Sequence, residues 1–451
     1  MKQELAREPL LLYLLAAMHR DGKISVADLS GTSGIQTKIT IYEQALNWVL
    51  TEQRKPIQQE IVRLDKEELS QVLIEAGLCV VQSGGECARV KMIAERLKKS
   101  EPEIVEKIDK IQNQDQDQVL KNALAAFYLK PAAGDEGGSV EFFHKSFGEF
   151  LCAKRMQQAL EDWIVPGRRG RGFNLNDPQL AEEIYDLWGY GGLTKEIMEY
   201  LWGLLTANTE FSFKKLFNRL EDFYERWCDG EFIDADGTTF PQAKMRRLKE
   251  RKPQFDQEQD SLGQRQVDVY TGLNVMILLF ELHRYGQQQG LKEVMTFHPC
   301  GKRNQEGQLE NKDRLFNIIG YSRCLSKNAF LDIVGLFLSH ANLSDANLSD
   351  ANLSDANLSD ANLSGADLSG ADLRYADLRH ANLINAVLID AVLLNAVLID
   401  AVLLNAVLRG AYLREANLDG VIWNENTNWS NVRRLDSAIN IPAALKDQIS
   451  G

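Results

Sequence analysis

Residues 341–360 read ANLSDANLSDANLSDANLSD, and residues 381–405 read ANLINAVLIDAVLLNAVLIDAVLLN. Alanine opens sixteen successive five-residue units, from Ala341 to Ala416, and leucine follows two residues later in each unit, from Leu343 to Leu418. A period of five fits neither an α-helix, with about 3.6 residues per turn, nor a flat β-strand, with a period of about two. The sequence therefore predicts a solenoid whose alanine and leucine side chains point inward while the other three positions point outward.

This pattern resembles the pentapeptide-repeat family, whose unit is written A(D/N)LXX. The resemblance implies a right-handed, quadrilateral parallel β-helix with one pentapeptide per side and about twenty residues per coil. Residues 341–420 then form four coils, and at a strand spacing of ~4.8 Å the rod is roughly 20 Å long. We expect the β-helix to span 331–425, with Trp423 in the place of an inward leucine. A C-terminal cap over 426–451, including Trp429, is expected to close the last coil.

Composition and charge limit the class and the compartment. A net charge of −13 over 451 residues favours solubility and argues against general nucleic-acid binding. The six cysteines form no CxxC pair, so we expect reduced thiols and no metal site. The apolar run from Leu10 to Met18 is too short to span a membrane, and Glu4 and Glu8 argue against a signal peptide. We therefore expect a cytoplasmic protein.

Residues 1–160 are predicted to be mostly helical. Pro9 begins the first helix, because proline suits the first helical turn. Thr40 and Glu43 have the spacing of a capping box and predict the start of a second helix. A third helix is predicted to start near Asp65 and to stop at Gly77.

A β-hairpin is predicted directly after the third helix. Residues 78–82 and 86–90 flank Ser83-Gly84-Gly85, which has the composition of a tight turn. Helices followed by a hairpin indicate a winged-helix-like part. Because these residues contain no basic recognition helix, we do not expect this part to bind DNA.

A second resemblance covers roughly residues 1–160. The stretch VEFFHKSFGEFLCA, at 140–153, resembles the segment F-x-H-x-S-F-x-E-[FY]-L-x-A that closes the winged-helix part of NACHT-type STAND NTPases. The PLLL sequence at Pro9 is similar to the helix that follows the nucleotide-binding core in that family. The resemblance implies that Pro9 lies beside the adenine and that His144 contacts the β-phosphate of the nucleotide.

The chain lacks the phosphate-binding loop of that family. The sequence GxxxxGK[ST] occurs nowhere in it, so no part of the chain is expected to hold the β- and γ-phosphates with Mg²⁺. We expect the chain to start after the catalytic core, to carry no cofactor, and to meet ATP or ADP only with a missing or separate nucleotide-binding domain. Two interpretations of His144 stay open: a partly buried structural histidine, or a sensor of the nucleotide state.

Residues 161–330 are predicted to form an α-helical domain. Thr194 is the predicted N-cap of one helix. Residues 267–285 contain the run 275–280, which is apolar all round, and this is typical of a buried central helix. The basic clusters at 168–172 and 244–252 lack interleaved aromatic residues and are predicted to be solvated surface. No catalytic arrangement of side chains is recognisable, so we expect no enzymatic activity.

The outward positions of the first predicted coil are polar and acidic. Asp345, Asp350, Asp355 and Asp360 fall on four different sides of one coil and form a ring, not a ladder along the rod. Between residues 336 and 420, eleven acidic residues stand against four arginines. Some pentapeptide-repeat proteins resemble duplex DNA and occupy the DNA site of topoisomerases. With this modest charge, such DNA mimicry is a minor alternative for the chain.

The outward positions between 384 and 407 are aliphatic, and we call these ten residues the aliphatic girdle. They are Ile384, Val387, Ile389, Val392, Leu394, Val397, Ile399, Val402, Leu404 and Val407. An apolar surface of this extent is typical of an interface. Three explanations stay open: packing against the chain's own helices, pairing with another copy or a different protein, and drift in a duplicating repeat, since AVLIDAVLLN occurs twice.

The sequence therefore predicts a non-catalytic regulatory or protein-interaction protein. Its pentapeptide solenoid would be the scaffold or sensor portion of a STAND-type signalling system. The alternative is a chain that completes the nucleotide site of a separately encoded NACHT ATPase in trans. The expected partner at the β-helix surface is a protein or a second copy of the chain, with neither a membrane nor nucleic acid.

Overall fold

The computed structural model describes residues 9–25, 34–53, 64–85, 87–110, 120, 129–131, 139–142, 144–168, 172–250 and 262–450. Their α-helices are α1 Pro9–Arg20, α2 Gly34–Trp48, α3 Lys66–Gln82, α4 Val90–Ser100, α5 Pro102–Asp109, α6 Lys145–Trp163, α7 Asp177–Trp188, α8 Lys195–Ala207, α9 Phe213–Cys228, α10 Phe240–Glu250, α11 Gln264–Gln288, α12 Arg314–Ser322, α13 Ala329–Val334 and α14 Ala443–Ser450. The strands are β1 Cys87–Arg89, β2 Leu129–Pro131 and β3 Ser139–Phe142. None of the described helices is long and apolar enough to cross a membrane.

The chain divides into two compact units. The first comprises residues 1–180, 193–212 and 246–261, and the second comprises residues 181–192, 213–245 and 262–451. The N-terminal part is mostly helical, and the repeats form the C-terminal part, as the sequence predicts.

The first unit packs its helices around α6. Helices α3 and α8 both lie against α6. The ring of Phe150 meets the rings of Tyr42 and Tyr200 with centroid distances of 5.3 and 5.9 Å. A small antiparallel sheet completes the unit, with β3 between β1 and β2.

The predicted β-hairpin around Ser83-Gly84-Gly85 is wrong. Residues 78–82 belong to α3, which ends where the backbone N–H of Ser83 donates to the carbonyl of Cys79. Strand β1 pairs with the distant β3 instead. Gly77 does not stop the helix: a Cβ there would lie 2.5 Å from Cβ of Leu151, so glycine is needed where α3 approaches α6.

The second helix begins earlier than predicted, and the start of the third is confirmed. Helix α2 starts at Gly34, and Thr40 lies inside it, where the hydroxyl donates to the carbonyl of Gln36 at 2.9 Å. Before α3, the carboxylate of Asp65 accepts from the N–H of Glu68, whose own carboxylate accepts from the N–H of Asp65.

Helix α11 is the central helix of the second unit. It is buried along most of its length, which confirms the prediction for residues 267–285. Asp268 accepts hydrogen bonds from the hydroxyl of Tyr185 and from Nε1 of Trp227. The prediction for Thr194 is also confirmed, since its hydroxyl accepts from the N–H of Ile197 at the start of α8 in the first unit.

The repeats form a parallel β-helix with twenty residues per coil. Neighbouring coils pair at residues twenty apart, from Asn342 with Asn362 to Val402 with Ile422. Every alanine and leucine of the repeat is at most 3 % exposed, as predicted. The last residue of each unit has a positive φ, between 54° and 74°, and this explains why that position is mostly Asp, Asn or Gly.

Residues 421–439 add a fifth, irregular coil. Val407 pairs with Asn428, and Asn417 pairs with Ile439, so the twenty-residue spacing no longer holds. Trp423 is half-buried and does not take the place of an inward leucine, whereas Trp429 is 6 % exposed. Leu445 of α14, which follows this coil, is fully buried.

The first coil is covered by other segments of the same unit. The N–H of Asn347 donates to the carbonyl of Lys312, and the N–H of Asn357 donates to the carbonyl of Gly335, both at 3.0 Å. Arg284, near the end of α11, donates to the hydroxyl of Ser339 at 2.9 Å. These bonds satisfy strand-edge groups that an open solenoid end would expose.

Candidate functional site

Polar outward side chains of the regular coils are bonded to one another. Oδ1 of Asn362 accepts from the N–H of Ser364 at 3.2 Å and from its hydroxyl at 2.8 Å. The amides also stack along the rod, where Nδ2 of Asn382 donates to Oδ1 of Asn362 and Nδ2 of Asn362 donates to Oδ1 of Asn342. These side chains therefore stabilise the coils themselves.

The acidic residues do not form a stripe along the rod. Twenty-residue pairing places Gly365 and Asn385 after Asp345 on the same corner, which confirms that the four aspartates form a ring. On the second coil, a hydrogen bond from Arg379 lowers the pKa of Asp377 and pairs the two charges. This charge pattern does not favour DNA mimicry.

The aliphatic girdle lies on the outer surface of the third and fourth coils. All ten of its side chains are half-buried, as are Asn362 and Asn417 at equivalent positions of neighbouring coils. The inward leucines between them, such as Leu388 and Leu398, are fully buried. The girdle is therefore a partly exposed aliphatic surface around a rod whose first two coils carry mostly polar outward side chains.

The segment that precedes the rod is bonded to the first coil and not to the girdle. Nη2 of Arg303 donates to the hydroxyl of Ser344 at 2.8 Å and to Asp345 at 2.7 Å. Nε2 of His298 lies 2.8 Å from the carbonyl of Ser344. Within the described residues of the second unit, no girdle side chain is buried. Packing of the girdle against the helices of this unit is therefore not observed.

The two nucleotide-contact candidates lie in the first unit. Pro9 is the first residue of α1, and its side chain lies outside the described part of the chain. His144 is the N-cap residue of α6, makes no side-chain capping bond and is exposed. The interpretation of His144 as a partly buried structural histidine is therefore wrong.

Residues that follow His144 have packing roles. The hydroxyl of Ser146 lies 2.8 Å from that of Tyr42. A Cβ at Gly148 would lie 2.9 Å from the ring of Phe142, so glycine leaves room for that ring. This part of the motif therefore fixes α6 against α2 and β3, while His144 and Lys145 are exposed.

One predicted basic surface is partly buried. Lys244 is 1 % exposed, its Nζ donates to the carbonyl of Asp186, and the carboxylate of Asp186 lies 3.5 Å away. The prediction of a solvated cluster is therefore wrong at Lys244. Residues 169–171 and 251–252 of the two basic clusters lie outside the described residues.

A pocket of about 190 Å³ in the second unit was missed by the sequence reasoning. Its acidic and basic lining residues are Glu221, Glu225, His298, Lys302, Arg303 and Arg314. They come from α9, from the segment between α11 and α12, and from the start of α12, so no local motif unites them. The sequence offered one hint, a glycine followed by two cations at 301–303.

A rod of stacked parallel coils whose first coil is bonded to other residues of the same unit defines a solenoid protein of the parallel β-helix class. The model of the pentapeptide repeats family matches residues 337–374, 366–403 and 391–422. The chain is 34% identical to alr5209, a pentapeptide repeat protein from Nostoc PCC 7120, over 23% of this chain and 78% of that one, with a TM-score of 0.17. The chain belongs to the pentapeptide-repeat family through these residues.

Two further solved structures are similar over the same part. Rfr23, a pentapeptide repeat protein from the cyanobacterium Cyanothece 51142, is 43% identical over 20% of this chain and 61% of its own, with a TM-score of 0.20. HetL from Nostoc sp. strain PCC 7120, which is involved in heterocyst differentiation regulation, is 35% identical over 23% of this chain and 57% of its own, with a TM-score of 0.16. This chain thus spans less than two thirds of either protein. No curated protein matches the chain.

Proposed function

We propose that the chain is a non-catalytic scaffold or sensor that binds a protein through the aliphatic girdle. The observation that supports this is the change of chemistry at equivalent outward positions. The first coils carry Asn and Ser that bond to one another, while the girdle carries Val, Ile and Leu that remain partly exposed. Burial of these side chains by a partner would remove apolar surface from water, which favours association.

The partner is a second copy of the chain or a different protein. The girdle runs around all four sides of the rod, so one face remains available when another is occupied. A second copy presents the same aliphatic surface, which suits a self-complementary two-fold contact.

Replacement of Ile389, Leu394, Ile399 and Leu404 with Ser tests this function. We expect the variant to lose self-association in sedimentation experiments, or to capture a partner protein about ten-fold or more weakly, because apolar anchors dominate interface energies. Serine already occupies the same repeat position at Ser364, so the rod should tolerate the change.

The matched control replaces Arg374 and Arg379 with Ser. These residues occupy the same repeat position one coil earlier, outside the girdle. The control should associate and capture like the unchanged protein. Sedimentation and capture that are unaffected in the quadruple variant would contradict a role of the girdle in binding.

We further propose that the first unit is the winged-helix-like end of a STAND architecture of the NACHT type, working in the cytoplasm. Its helices, its three-stranded antiparallel sheet and the packing of the segment at 140–153 support this assignment. The β-helix would then be the sensor whose occupancy is reported to a nucleotide-binding domain.

The second candidate function is completion of a nucleotide site in trans, and the exposed side chain of His144 favours it. We expect the chain mixed with a P-loop ATPase domain of the NACHT type to strengthen ADP binding several-fold in fluorescence titrations with labelled ADP. His144→Ala should remove the gain, while His19→Ala, an exposed histidine of α1, should keep it. Equal ADP binding with and without the chain would argue for the scaffold alone.

A further inference from the structure

The pocket of about 190 Å³ in the second unit is lined by acidic and basic side chains. On one wall, Nζ of Lys302 lies 3.5 Å from Oε2 of Glu221 and 3.4 Å from Oε1 of Glu225. Two carboxylates thus share one ammonium group, and this wall keeps an excess of negative charge. A carboxylate pair of this kind attracts a further cation.

A second wall of the pocket includes Arg314. Its Nη1 atom is buried and has no hydrogen-bond partner among the described residues. The guanidinium packs against Gly301, where φ is +87° and an added Cβ would lie 2.9 Å from Nη1. Because a buried polar hydrogen without an acceptor is unfavourable, the site indicates an acceptor that the described chain does not supply.

Arg303 and His298 do not add an unpaired positive charge to the pocket. Arg303 is paired with Asp345 at 2.7 Å. His298 is neutral at pH 7, because burial lowers its pKa to about 4. Both of its ring nitrogens are also engaged, one by the N–H of Cys300 and one by the carbonyl of Ser344. Arg314 therefore determines where a negative group is attracted.

We propose that this pocket binds a small zwitterion of the amino-acid type, with its carboxylate on Arg314 and its ammonium group on the carboxylate oxygens of Glu221 and Glu225 that Lys302 does not contact. The planar guanidinium fits a carboxylate through two parallel hydrogen bonds. A simple anion would satisfy Arg314 alone, and a simple cation would satisfy the glutamates alone.

The size and position of the pocket agree with such a ligand. Ligand pockets for larger molecules have volumes of about 300–1,000 Å³, so about 190 Å³ suits one small metabolite. Asn342 of the first coil lines the pocket together with α9 and α12. A bound amino acid would therefore bridge the helical part of this unit and the base of the β-helix. This site is separate from the girdle and does not rest on the function proposed above.

The test measures ligand binding to the full chain at pH 7 by thermal unfolding and titration calorimetry. The ligands are a panel of the standard amino acids, with acetate and inorganic phosphate as anions and methylammonium as the cation. We expect at least one amino acid to raise the Tm and to bind, while the three single-charge ions give no shift at the same concentration.

Variants of both walls complete the test. Arg314→Gln and Glu225→Gln should each weaken binding of that amino acid about 30-fold or more, because each leaves one ligand charge unpaired. Arg323→Gln and Glu306→Gln change exposed residues of the same unit and should leave the affinity unchanged. The Tm of Arg314→Gln without ligand shows whether this variant folds. If it does not, the affinities of Glu225→Gln and Glu221→Gln for the amino acid are compared with that of the unchanged protein.

Three outcomes would overturn the proposal. The first is that no amino acid binds. The second is that phosphate or acetate binds as tightly as any amino acid, which would indicate a site for anions only. The third is an unchanged affinity in folded variants of both walls.

Discussion

Glu75→Gln is expected to lower the free energy of unfolding by about 3–5 kcal/mol. Glu75 is 1 % exposed, and its two carboxylate oxygens each lie 2.7 Å from an Nε atom, one of Arg96 and one of Arg155. A neutral amide would leave Arg96, which is 6 % exposed, without a full counter-charge. Denaturant unfolding measures the loss. Glu67→Gln, at an exposed residue of the same helix, should change the value by less than about 0.5 kcal/mol.

The same carboxylate makes stability depend on pH. Burial acts to raise the pKa of Glu75, but the charges and hydrogen bonds of Arg96 and Arg155 overcome it and hold the pKa at about 2. An unfolded glutamate has a pKa of about 4.3, so the stabilisation is present above about pH 4.3 and is lost as the pH falls toward 2. The difference in unfolding free energy between the unchanged protein and Glu75→Gln should shrink over that range. A difference that is the same at pH 7 and pH 2 would contradict the ion pairing.

Leu403→Ala is expected to cost about 3 kcal/mol, while Leu404→Ala should cost less than about 1 kcal/mol. The two leucines are adjacent, but Leu403 is fully buried inside the rod and Leu404 is half-buried in the girdle. Because each coil contacts its neighbours, a cavity at Leu403 should weaken adjacent coils as well.

Hydrogen exchange measured by mass spectrometry can locate this effect within the rod. Peptides from residues 381–422 should exchange faster in Leu403→Ala, while peptides from α3 and α6 should exchange as before. Leu404→Ala is the matched control, since it removes the same atoms one residue away. Equal acceleration in both variants would contradict the assignment of inward and outward positions.

The β-helix could be predicted because each coil repeats the same local chemistry. Alanine and leucine recur every five residues, and only one arrangement of the coil places all of these side chains inside. The buried position of each alanine and leucine therefore followed from the pattern. The last residue of each five-residue unit is mostly Asp, Asn or Gly, and from the sequence the aspartates were interpreted as surface charge. The positive φ at Asp345 and its equivalents gives the physical reason for these residues.

Other features depended on contacts between distant segments. Gly77 and Ser83-Gly84-Gly85 are similar helix-breaking signals. Helix α3 continues past the first, where glycine allows close approach to α6, and ends at the second. The fifth coil was hidden because inserted residues change the spacing between paired positions. The pocket around Arg314 is assembled from separate segments, so its charges had no common pattern along the chain.

At both ends, the regular coils bond to residues outside the regular repeat. Lys312 and Gly335 bond to the first coil, and Asn428 and Ile439 pair with the last regular coil. The interior can therefore gain or lose whole coils without a change in the bonds at either end. The ten residues AVLIDAVLLN, at 386–395 and again at 396–405, are half a coil present twice, and the two copies together complete one turn. A single tandem duplication thus raises from two to four the number of sides that carry both a valine and an isoleucine or leucine, and a continuous aliphatic ring can arise before any partner binds it.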